Sequence, residues 1–75
     1  MDNDVYNRAS YVVSDTVLKQ IGKFTLTDIL DIVGDKIRNQ FKSDEEMVKY
    51  VKNKLNAICE FGLVGRTSIY YFSIP

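Results

Sequence analysis

Residues 43–75 read SDEEMVKYVKNKLNAICEFGLVGRTSIYYFSIP, and this stretch decides the fold. Ser43-Asp44-Glu45-Glu46 is a capping box, with serine at the cap and glutamate three residues on. Three acids in the first turn also suit the positive end of the helix dipole. At about 100° per residue, Met47, Val48, Tyr50, Val51, Leu55, Ala57, Ile58, Cys59 and Phe61 cover a broad apolar arc. Glu45, Glu46, Lys49, Lys52, Asn53, Asn56 and Glu60 take the remainder, and Lys54 falls inside the arc, so its ammonium must snorkel outward. An arc wider than the usual stripe is expected of a helix contacted on two sides. Gly62 is the expected stop. Leu63–Arg66 and Ile69–Ile74 are rich in β-branched and aromatic residues, the composition of a hairpin. Thr67-Ser68 is not the preferred two-residue turn chemistry, so a longer loop starting as early as Gly65 is also open.

Upstream, apolar residues at Tyr6, Ala9, Val13, Val17 and Ile21 recur every three to four positions and predict a helix over 5–21. Asn3 or Asp4 is available to cap it, and Gly22 to stop it. Phe24-Thr25-Leu26 is too short for a strand alone but suits a third strand added to the C-terminal hairpin. Thr27 is the expected cap of the next helix, with Asp28 in its first turn. That helix carries Ile29, Leu30, Ile32, Val33, Ile37 and Phe41 on one face. Gly34, at about 1 kcal/mol relative to alanine in a helix interior, either admits a close neighbour or ends a shorter helix.

With 75 residues, the chain is expected to form a single domain, 1–75, with a thin stability margin. A composition of 45% hydrophobic and 27% charged residues is that of a soluble globular protein. No apolar run approaches the roughly 18 residues of a membrane span, and no leader pattern opens the chain. A cytoplasmic location without membrane contact is the expectation. The single cysteine, Cys59, and the absence of histidine argue against a disulfide framework, a zinc finger or histidine-based catalysis. Cys59 reads as a small core residue, Asp44, Glu45 and Glu46 as caps rather than metal ligands, and no nucleotide-binding glycine pattern occurs. The expectation is no enzyme, no metal, no cofactor and no small-molecule ligand.

Formal net charge is zero, but its distribution is uneven. Residues 1–35 carry six aspartates against Arg8, Lys19 and Lys23, a net of −3. Residues 36–66 carry Lys36, Arg38, Lys42, Lys49, Lys52, Lys54 and Arg66 against Asp44, Glu45, Glu46 and Glu60, a net of +3.

The order helix, short strand, helix, helix, strand, strand is that of a small α+β domain. Three stretches resemble the winged helix-turn-helix superfamily. Phe24 to Leu30 looks like its strand-to-helix lead-in, Leu55 to Val64 is similar to its L-x-x-L-x-x-x-G-L-V junction, and Arg66 to Phe72 resembles its wing. The resemblance covers nearly the whole chain but points to no particular member. One departure is the stretch Gly34–Lys42, which lengthens the second helix or its connection. The resemblance implies a three-helix domain closed by a two- or three-stranded antiparallel wing. It also implies a small bacterial or phage-type transcription regulator that binds double-stranded DNA as a homodimer.

In such a domain the third helix, 43–61, and the wing, 64–71, are the DNA-contacting parts. Lys49, Asn53 and Asn56 share an exposed face, with Lys52 at its edge. Asparagine suits adenine, and lysine suits guanine or phosphate. Arg66, Thr67 and Ser68 would reach phosphate from the wing. Against this stand Glu45 and Glu46 at the start of the third helix and Asp28 and Asp31 at the start of the second, which repel phosphate. The rival expectation is a protein–protein or dimerisation module without DNA affinity, using Tyr6, Tyr11, Tyr50, Phe61 and Tyr71.

Overall fold

Helix α1 spans Asp2–Leu18, followed by β1 (Lys23–Phe24), α2 (Leu26–Ile37), a 3-10 turn (Arg38–Gln40), α3 (Asp44–Glu60), β2 (Val64–Arg66) and β3 (Tyr71–Ser73). The structure is a computed structural model and describes residues 2–73, with the backbone alone for 2–7. It is the expected α+β arrangement, three helices and a three-stranded antiparallel sheet in the order β1-β3-β2. The pairing of Lys23 with Phe72 and of Phe24 with Tyr71 adds the expected third strand, but one residue earlier than expected: it is Lys23–Phe24, while Thr25 caps α2 and Leu26 begins it. Ile74, expected in the last strand, and the Tyr6 side chain lie outside the described residues.

One core holds these elements together. Ala9, Val13 and Val17 of α1 meet Ile29, Val33 and Ile37 of α2 and Met47, Val51, Leu55 and Ile58 of α3, with Phe24 and Val64 closing the sheet side. Burying a side chain of the valine, leucine or isoleucine kind contributes roughly 1.5–3 kcal/mol against leaving it exposed. The helix faces are therefore read off the three-to-four spacing of these positions.

Several local expectations are corrected. Helix α1 ends at Leu18, three residues before the expected last residue Ile21, which is 95% exposed rather than on the apolar face. Asn3 and Asp4 are already helical. Lys19 closes back on Asp15 through a 2.9 Å ion pair, and Gly22, at φ 79°, turns the chain into β1. Thr25, not Thr27, caps α2: its hydroxyl accepts from Asp28 N–H at 3.1 Å, and Asp28 Oδ2 accepts from Thr25 N–H at 2.9 Å. The threonine two residues earlier wins because only it has an acid at the third helical position, which satisfies two otherwise orphaned amides at once.

Gly34 is buried inside α2, which continues past it to Ile37. The glycine therefore does not end the helix; a Cβ there would make an ordinary contact with Met47 Cε of α3 at 3.9 Å and a tighter one, 3.3 Å, with the tip of Arg38. The stretch before α3 both extends α2 and adds the 3-10 turn. Arg38 ties the connection to α3, donating to Asp44 at 3.1 Å and to Asp35 at 3.3 Å.

Ser43 caps α3 as expected, accepting from Glu46 N–H at 3.2 Å, but the reciprocal bond to the Glu46 carboxylate that would complete the capping box is not made among the described residues. The helix ends in a Schellman motif: Gly62, at φ 81°, donates to Cys59 O at 3.0 Å, and Leu63 N–H donates to Ile58 O at 3.3 Å. This closure turns the chain so that Val64 enters the core and β2 runs back beside α3. Gly65 stays in the strand, and the loop is Thr67–Tyr70. The ring of Phe72 lies across Gly65, where a Cβ would fall 2.3 Å from Phe72 Cζ.

Candidate nucleic-acid interface

Along β2, side chains alternate between the two faces of the sheet. Val64 is buried, Gly65 faces outward under Phe72, and Arg66 returns to the α3 side. Its guanidinium spans the gap to α3, with Nη1 donating to Asn56 Oδ1 at 2.8 Å. The hairpin and helix thus enclose an open cleft of about 640 Å³. Lys52 and Asn56 line one wall, Arg66, Thr67, Ser68 and Ile69 the other, and Leu26 and Tyr71 lie between them. No acid lines it, and its two charged residues are both cations.

Five of the seven residues expected to contact DNA therefore converge here: Lys52, Asn56, Arg66, Thr67 and Ser68. Lys52 and Asn56 lie four apart on one face of α3. The other two stand apart from the cleft. Asn53 is exposed on α3 and makes no side-chain hydrogen bond among the described residues. Lys49 lines a separate depression with Ser43, Glu45 and Glu46, where its charge is offset by acids of the first turn.

Thr67 also has a structural role beyond the one expected. Its hydroxyl accepts from Tyr70 N–H at 3.0 Å and Ile69 N–H at 3.3 Å and donates to Tyr70 O at 3.3 Å. Its own N–H donates to Tyr70 O at 2.7 Å. The side chain shapes the hairpin loop, and both Thr67 and Ser68 are exposed at its tip. A threonine bonding amides two and three residues on is a known turn chemistry, so the signal was present in the sequence beside the functional one.

On the far side of Arg66, a second depression is lined by Asn56, Cys59, Glu60 and Arg66. Burial pushes the Cys59 thiol up, and the Arg66 guanidinium opposes that shift. Of the residues expected at a protein interface, Tyr11 is 71% and Phe61 81% exposed. Tyr50 and Tyr71 are instead half-buried against the core, Tyr50 with its ring 5.2 Å from that of Phe41 and Tyr71 stacked on Phe24. The two rings that looked like surface thus complete the core edge.

Fold and site together define a class: a small α+β domain whose third helix and hairpin form an acid-free cleft of hydrogen-bond donors. No protein-family model matches this chain, and neither does any curated protein or solved structure. Among the described residues, no helix is long and apolar enough to cross a membrane.

Proposed function

We propose that the chain is a winged-helix module that binds double-stranded DNA, in the manner of a small transcription regulator, through α3 and the hairpin. The observation that carries this reading is the cleft, where Lys52, Asn56, Arg66 and Ser68 meet with no acid among the lining residues. Phosphate oxygens need cations and neutral donors on one accessible surface, and these residue types supply them. Part of the acidity at the start of α3 is already compensated, since Asp44 is paired with Arg38. Glu45 and Glu46 remain exposed and hold affinity down, so binding is weak per protomer and strongly salt-dependent.

Titration into a fluorescently labelled duplex, at low and moderate salt, tests it. Binding at about 50 mM salt that weakens steeply with added salt is the expected result. No binding there at high micromolar protein overturns the reading, as does unchanged affinity in Arg66→Glu.

A second reading, a protein-interaction or self-association module, is favoured by the exposed apolar residues Phe61 and Leu63 flanking Gly62, at 81% and 52%. Its measurement is oligomeric state against concentration, and a strict monomer that binds duplex counts against it.

A further inference from the structure

Asn56 sits half-buried in the cleft wall, and its carboxamide is already engaged. A guanidinium has five donors and no acceptor, so only the oxygen of Asn56 can face Arg66 at 2.8 Å. Reading adenine takes both ends of an asparagine, the oxygen for the N6 amino group and the amide nitrogen for N7. In this cleft the oxygen already holds a cationic donor. An adenine amino group would have to share that oxygen with the guanidinium or displace it.

The bond does something else well. It crosses from α3 to β2 and fixes the long side chain of Arg66, which would otherwise lose its rotamer freedom on meeting a ligand. Lys52 stands one turn earlier on α3 beside the same cleft. A fixed guanidinium with an ammonium nearby suits an oxyanion.

Resting on the DNA reading above, we infer that Asn56 is a positioning residue for Arg66 rather than a base reader. The cleft engages the phosphate backbone without discriminating bases.

A double-mutant cycle tests this, with Asn56→Ala, Arg66→Ala and the pair measured on three labelled duplexes: mixed-sequence, A·T-only and G·C-only. Asn56→Ala is expected to weaken all three alike, roughly three- to tenfold, and to add nothing in the Arg66→Ala background. Selective loss on the A·T-only duplex, or a full additional loss in the double variant, overturns the inference and leaves DNA binding standing. Failure of the wild-type protein to bind any duplex overturns both. A readout on the free wild-type protein does not depend on the variants folding: side-chain ¹⁵N NMR of Arg66. Slowed guanidinium rotation and protected Nη protons are expected, and free rotation overturns the positioning role.

Discussion

Phe24 of β1 and Tyr71 of β3 stack across their strand pairing, with ring centroids 5.8 Å apart and planes 20° from parallel. Phe24 is 2% exposed, so the contact anchors a two-residue strand that backbone bonds alone would hold poorly. It also sets the wing, because β3 is the central strand and β2, with Arg66, pairs on its other side. Phe24→Ala is expected to cost about 3–5 kcal/mol. Against the low end of domain stabilities, near 5 kcal/mol, that leaves about 0–2 kcal/mol, so between a few per cent and about half of the population is unfolded. Tyr71→Phe keeps the ring and should fall within about 0.5 kcal/mol of wild type. Urea titration followed by circular dichroism reads both.

The capping of α2 gives a sharper local test, because two threonines compete for the role. Thr25→Ala removes the hydroxyl that Asp28 N–H bonds and is expected to cost about 1 kcal/mol. Thr27, exposed and one residue inside the helix, should tolerate alanine within about 0.5 kcal/mol. Equal losses at the two positions would contradict the cap seen here.

These two cases show what the sequence made legible and what it concealed. The helix faces were readable because a three-to-four repeat of Val, Ile and Leu admits one solution. Ser43, Gly62 and the aromatic final strand were readable for similar reasons of local chemistry. Thr27 directly precedes the apolar run, but only Thr25 has Asp28 three residues on, and that spacing decides the cap. Ile21 continued the repeat numerically, yet nothing packs there, since α1 has already ended at Leu18. The cleft residues were identifiable by type, but not their pairing. The bond between Asn56 and Arg66 depends on the turn at Gly62 and the three-residue length of β2, which no periodicity encodes.

Gly34 is a place where the chain has left stability unused. Alanine gains about 1 kcal/mol of helix propensity over glycine in a helix interior. The added Cβ meets Arg38 Nη2 at 3.3 Å and Met47 Cε at 3.9 Å, one tight contact with a flexible tip and one ordinary contact. Arg38 can shift at modest cost, since its pairs with Asp35 and Asp44 are exposed and such pairs contribute about 0–1 kcal/mol. Gly34→Ala should therefore raise stability by about 0.5 kcal/mol, or about 2–4 °C in Tm. A fall in Tm would show that the guanidinium cannot yield.

Cys59 should be a slow thiol. Burial raises its pKa and Arg66 pulls the other way, so at pH 8 the folded protein holds less thiolate than the unfolded chain. Alkylation by iodoacetamide should run slower in native protein than in urea, and Arg66→Ala should slow it further. Because the folded thiol keeps its proton longer, its contribution to stability is full below the unfolded pKa. That contribution erodes as pH rises from there through the folded value. Native alkylation as fast as in urea would contradict the burial.

Lys49 and Lys52 differ in their surroundings, and the proposed DNA reading therefore separates them. Both lie on the polar side of α3 and looked equivalent by residue type. Lys52 lines the cleft with Arg66 and without an acid, whereas Lys49 shares its depression with Glu45 and Glu46. A phosphate approaching Lys49 meets two carboxylates with it, and the attraction is largely cancelled. Lys52→Ala is therefore expected to weaken duplex binding across sequences and to lower the salt slope by about one. Lys49→Ala should change both much less. Anisotropy titrations of the two variants at three salt concentrations measure affinity and slope together. Equal losses would mean that the whole face of α3 meets the duplex. A larger loss at Lys49 would place the contact at the start of the helix, away from the cleft.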